Sequence, residues 1–187
     1  MWKRVLLAGV LGGIVFFVWT FVTNAIFRFN LQVNMKPVPD ERRVYAVLKE
    51  NIVVPGRYVC NPALTKERVF PLNEPVFAIQ YGGSGHEAAG RAQATQLAMG
   101  FVVPLLAAGM LSVASEKILA SYFRRVLFIT AIGLLFVVSA STTMSSIGGY
   151  PLHDTLLLAA YDVFTWILLG LVIAWPIKGA PEKAASA

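Results

Sequence analysis

Asp162 is the side chain whose type and setting could do chemistry: it is the one acidic residue inside four long apolar segments, and it stands within the last of them. A carboxyl group in a membrane helix costs about 2.5 to 3.5 kcal/mol on insertion scales, so it normally faces protein or water; it reads first as a hydrogen-bonded group that specifies how the spans pack, and otherwise as a site for a proton, an ion or a small ligand. Other chemistries find less support. The histidines, His86 and His153, lie far apart, and neither belongs to a tight ligand spacing such as His-Glu-x-x-His; with Asp154 beside it, His153 reads as half of a helix-start pair. Cys60 is alone and has no intramolecular disulfide partner. Serines are abundant, but no histidine falls inside a span to serve as their base. The stretch Gly82-Gly83-Ser84-Gly85 lacks the Lys-Ser or Lys-Thr ending of a phosphate loop and reads as a hinge into the second span. No catalytic residue and no metal site are expected.

The elements that must position Asp162 follow from composition. With 187 residues, 57% apolar and 14% charged, the chain falls well below the roughly 25% charged residues of soluble domains. Four segments are each long enough to cross a hydrocarbon core, which takes about 20 residues: Val5 to Phe27, Ala94 to Ser115, Val126 to Ser146 and Thr155 to Ile177. The expected fold is an all-α membrane protein, a four-helix transmembrane bundle with a small α+β extracytoplasmic insertion between helices one and two. Its divisions are 1–27 for the first span with a short N-terminus, 28–93 for the lobe, 94–177 for the three-helix segment and 178–187 for a tail.

Orientation follows from the short segments rich in Lys and Arg, which stay cytoplasmic. Lys3 and Arg4 precede span one, Lys117, Arg124 and Arg125 separate spans two and three, and Lys178 and Lys183 follow span four. The loop from Ile147 to Asp154 has no Lys or Arg. Both termini are therefore expected in the cytoplasm of a bacterium, with the lobe in the periplasm and the spans in the inner membrane. Span one is too long and too aromatic for a signal peptide, with Phe16, Phe17, Trp19 and Phe21, and is expected to remain as an anchor. The net charge of +6 includes nine basic residues in the lobe opposed by six acidic ones, a mildly basic solvated face with no nucleic-acid signature.

Within the lobe, Lys36-Pro37-Val38-Pro39 is an extended entry. Asp40 then opens a helix to about Glu50, with Val44, Val47 and Leu48 on one face. Arg57 to Cys60, ended by Asn61-Pro62, and Val76 to Tyr81 read as strands that pair in a hairpin, with the amphipathic helix covering one face. So small a sheet is marginal alone and is expected to lean on the bundle or on another protein.

In lipid, helices associate through small residues that permit close approach and through interhelical hydrogen bonds. Gly9 and Gly13 in span one, Gly100 and Pro104 in span two, Gly133 in span three and Gly170 in span four are the expected packing residues. Matching depths at about 1.5 Å per residue places Thr20, Asn24, Ser139 and Ser141 near Asp162, as an intramembrane polar cluster in the outer half of the bundle. The inner half is almost wholly apolar, which argues against a transport path.

The expected function is that of a non-catalytic accessory or scaffold subunit in a larger membrane complex, whether respiratory, photosynthetic, otherwise energy-transducing or secretory. A small-molecule, ion or proton-binding protein built around Asp162 is the alternative, and a membrane enzyme ranks third. The partners expected are membrane lipids and other integral subunits. No cofactor is predicted, with room left for a bound lipid, quinone or pigment.

Overall fold

The computed structural model describes residues 1–145 and 147–178. Ser146 and the part of the expected tail beyond Lys178, with Lys183, lie outside the described residues. In chain order the elements are α1 (Trp2–Phe21), α2 (Phe29–Val33), α3 (Glu41–Asn51), β1 (Gly56–Cys60), β2 (Phe77–Tyr81), α4 (Arg91–Ser112), α5 (Glu116–Leu119), α6 (Tyr122–Met144) and α7 (Leu152–Ile173). Four helical segments, Trp2–Ile26, His86–Ser112, Tyr122–Met144 and Leu152–Ile173, are long and apolar enough to cross a membrane.

Their boundaries differ from the hydropathy reading for local reasons. Helix α7 starts three residues early because Pro151, with φ −55°, is set to lead into a helix, and it ends before Pro176, which cannot continue one. Helix α1 runs on through a widened turn, Val22–Ile26, where the side chains of Thr23 and Asn24 donate to the Thr20 carbonyl at 3.1 and 2.9 Å. These bonds occupy a carbonyl that the loosened ladder would leave under-used. Arg28, in the left-handed region at φ 51°, then turns the chain into α2.

Close approach through glycine organises the bundle. A methyl group added at Gly12 would lie 2.6 Å from Pro104 Cβ, and one at Gly9 would lie 2.9 Å from Leu105 Cδ1. Gly13 sits under the Phe101 ring, Gly100 lies against Phe16 and Phe17, and Gly133 lies under Trp166. Gly170 faces the Val126 carbonyl, which a methyl group would meet at 3.1 Å. Helix α1 thus packs along α4, and α6 along α7. Helix α1 also lies against α7, while α4 and α6 meet only sparingly.

The tightest core sits at one end. There Val5, Ala8, Ala107, Ala108, Leu111, Leu119, Ile129, Leu169, Ile173 and Ile177 pack together. Arg125, expected to be a topological charge, is buried at this end instead. Its Nε donates to the Ala174 carbonyl at 3.1 Å and its Nη1 to the Leu119 carbonyl, so a single guanidinium caps the ends of both α7 and α5. Tyr122 adds a bond from its hydroxyl to the Leu171 carbonyl at 2.7 Å. Carbonyls at a helix C-terminus have no donors within the helix and carry partial negative charge, which a cation matches.

At the other end sits the lobe. Strands β1 and β2 pair antiparallel, Gly56 opposite Tyr81 and Cys60 opposite Phe77. Asn61 braces the turn after β1: its Nδ2 donates to the Pro75 carbonyl at 3.1 Å and its Oδ1 accepts from the Leu64 amide at 2.9 Å. Gly83 and Gly85 take positive φ, 100° and 40°, between β2 and the helix that follows, a conformation open mainly to glycine. Asp40 caps α3 as expected by accepting from the Arg43 amide, but the helix does not shield the sheet: Val44, Tyr45 and Val47 remain exposed. The lobe leans on the bundle through Lys36, whose ammonium lies 2.6 Å from the buried carboxylate of Asp154 at the start of α7. His153 approaches the other oxygen of the same carboxylate at 3.3 Å.

Three substitutions check these contacts. Gly133→Ala should lower the thermal midpoint in detergent, at a cost of about 1 to 3 kcal/mol from overpacking against Trp166. Gly109→Ala, where an added methyl group meets nothing within 4 Å, should leave the midpoint level or raise it slightly. Arg125→Met should cost about 1.5 to 3 kcal/mol by removing charged hydrogen bonds to the α7 and α5 ends, read as an earlier unfolding midpoint in a denaturant titration.

Candidate functional site

Helices α4 and α6 each pair elsewhere, so a cleft remains between α4 on one side and α6 with α7 on the other. Its volume is about 370 Å³. Met99, Gly100, Val103, Pro104, Leu106, Ala107 and Met110 line the α4 wall, and Ile132 and Phe136 come from α6. Asp162, Thr165, Trp166 and Leu169 come from α7, and Phe16 of α1 joins them. The lining is almost wholly carbon, with Gln96, Asp162 and Thr165 as its polar side chains.

Asp162 stands ten residues from Leu152 and eleven from Ile173, the two ends of α7. At about 1.5 Å per residue its carboxyl belongs to the middle of the helix, not nearer one end as the hydropathy boundaries implied. The side chain is half-buried, and among the described residues none donates a hydrogen bond to it. Thr165, one turn further on, cannot do so. Its hydroxyl donates to the Tyr161 carbonyl at 2.8 Å and accepts from Trp19 Nε1 at 3.0 Å, so its proton is already placed.

That Trp19–Thr165 bond is the polar tie between α1 and α7, and rings surround it. Trp19 stacks on Tyr161 with centroids 6.0 Å apart, and Tyr161 stacks on Phe29 of α2 at 4.9 Å. Sequence reasoning missed Thr165, Trp19 and Tyr161 as a group. The available signal was the placement of Tyr161 and Thr165 four residues apart, on the α7 face that also carries Asp162.

The expected polar cluster is only partly assembled. Thr20 lies in a neighbouring recess that shares Phe16 and Gln96 with the cleft, and its buried hydroxyl has no hydrogen-bond partner among the described residues. Asn24 is turned to local work, bonding the Thr20 carbonyl and accepting from the Asn30 amide at 3.2 Å. Ser139 is exposed on α6, and Ser141 lines a separate groove with Leu152, Thr155 and Leu156. Depth matching aligned these residues along the bundle axis, but rotation about each helix axis separates them. Of the expected packing residues, Gly100 and Pro104 line the Asp162 cleft itself.

Among the described residues, no three His, Cys, Asp or Glu side chains gather in a way that would hold a metal ion. The arrangement can bind, through one carboxylate and several rings, and it presents no paired acid and base for group transfer. Compared with known proteins, the chain matches no family model, no curated protein and no solved structure.

Proposed function

We propose that this chain is a non-catalytic accessory subunit of a larger membrane assembly, held in a bacterial inner membrane by its four long helices. The lobe would face the periplasm and both termini the cytoplasm, and the lobe would be the part that meets a neighbouring integral subunit. The observation that carries this reading is the apolar surface the lobe leaves uncovered outside the four long helices. Helix α3 exposes Val44 and Val47, three residues apart on one face, and also Tyr45, while Phe70 and Leu72 in the loop between the strands are 72% and 89% exposed. Apolar side chains grouped on a water-facing surface mark sites where another molecule docks. The orientation rests on the basic residues at the ends of the spans opposite the lobe: Lys3, Arg4, Lys117 and Arg124.

Gentle extraction followed by native mass measurement tests the proposal. The wild-type chain should run with at least one other polypeptide, and a protein that always runs as a lone monomer overturns it. The double substitution Val44→Glu and Val47→Glu should release the partner while leaving the thermal midpoint of the purified chain unchanged, because neither side chain is buried in the fold.

A further inference from the structure

We propose that the cleft between α4 and the α6–α7 pair is a binding site for a lipophilic organic cation, whose positive centre rests on the Asp162 carboxylate while its body lies among Phe16, Phe136 and Trp166. The inference goes beyond a scaffold role and does not depend on it. A volume of about 370 Å³ falls within the range of small-molecule sites, about 300 to 1,000 Å³.

Charge complementarity selects the occupant. No basic side chain is among the residues that line the cleft, and the carboxyl receives no hydrogen bond from any described residue. The nearest hydroxyl, that of Thr165, is committed to the Tyr161 carbonyl and to Trp19. A carboxylate left this way in apolar surroundings lacks an opposite charge. The rings supply the second half of the fit. Phe136 and Trp166 lie with centroids 6.4 Å apart and planes inclined at 55°, forming an open angle beside Asp162 on the same wall. Aromatic faces attract organic cations, most strongly where water is excluded.

Two further features exclude other ions. A small metal ion such as calcium wants six to eight oxygen ligands, whereas the cleft offers a carboxylate and the Gln96 amide beside a hydroxyl already in use. Access is lateral, since Leu106, Phe136, Met99 and Met110 line the cleft and are also exposed on the outer surface of the bundle. In a bilayer that surface meets hydrocarbon, so the site is open to a cation that partitions into lipid.

The test uses the full chain in nanodiscs of zwitterionic lipid and two probes of the same shape and opposite charge, tetraphenylphosphonium and tetraphenylborate. Binding is read by equilibrium titration and by the change in intrinsic tryptophan fluorescence, with empty nanodiscs subtracted. Wild type should bind the phosphonium saturably at one site and should not bind the borate there. Asp162→Asn should weaken phosphonium binding by about ten-fold or more, Asp162→Glu should keep most of it, and Glu116→Gln, on α5, should change nothing. Should Asp162→Asn fail to fold, Val103→Trp fills the cleft without touching the carboxyl and should block the phosphonium. Equal binding of both probes, no binding by wild type, or wild-type affinity in Asp162→Asn or Val103→Trp overturns the proposal.

Discussion

Where Gly9, Gly12 and Gly13 meet Leu105, Pro104 and Phe101, α1 lies so close to α4 that even a methyl group has no room, and this approach constrains every other distance in the bundle. Between helices in lipid there is no water to expel, so contact itself is the main source of attraction, and glycine maximises it. Helix α1 is then the hinge piece: it is committed to α4 along its glycine face and to α7 through the Trp19–Thr165 bond and the stacked rings. Helix α6 attaches to α7 by its own glycine, beneath Trp166. Four helices joined in the order α4, α1, α7, α6 form an open series, and the gap between its two ends is the cleft that holds Asp162.

The ends of the bundle are held by different physics. At the end where α1 begins and α7 finishes, aliphatic side chains pack together and a buried guanidinium draws the tips of α5 and α7 together. The lobe end is held by rings, local side-chain bonds to backbone and the Lys36–Asp154 ion pair to a lobe whose own interior is slight. A tight base and a looser top explain why the cleft lies above the aliphatic core, with Ala107 and Leu169 shared between the two.

Much of this was legible in the residue pattern. Length and apolarity alone announced four long helices, and Asp40, Pro55-Gly56 and Asn61-Pro62 announced α3 and the first strand within a residue or two. Small residues at spacing four pointed to glycine contacts, because a close approach demands that residue type whatever the partner. Rotation of each helix about its axis was not legible. It decides whether Ser139 and Ser141 face Asp162 or turn elsewhere, and it depends on which pairs of helices pack first. Arg125 was read as a loop charge for a similar reason: its sequence neighbours mark the end of a span, but the acceptor that buries it, the Ala174 carbonyl, is distant in sequence.

The ion pair between Lys36 and Asp154 joins positions 118 residues apart. During synthesis, at about 5 to 20 residues per second, roughly 6 to 24 s separate the emergence of the two partners. Over about the second half of that interval, once residue 93 has been added, the lobe is complete in sequence yet has no seat. Its apolar surfaces are uncovered while spans two and three are still being inserted, which makes the maturing chain dependent on whatever shelters it until the last helix arrives.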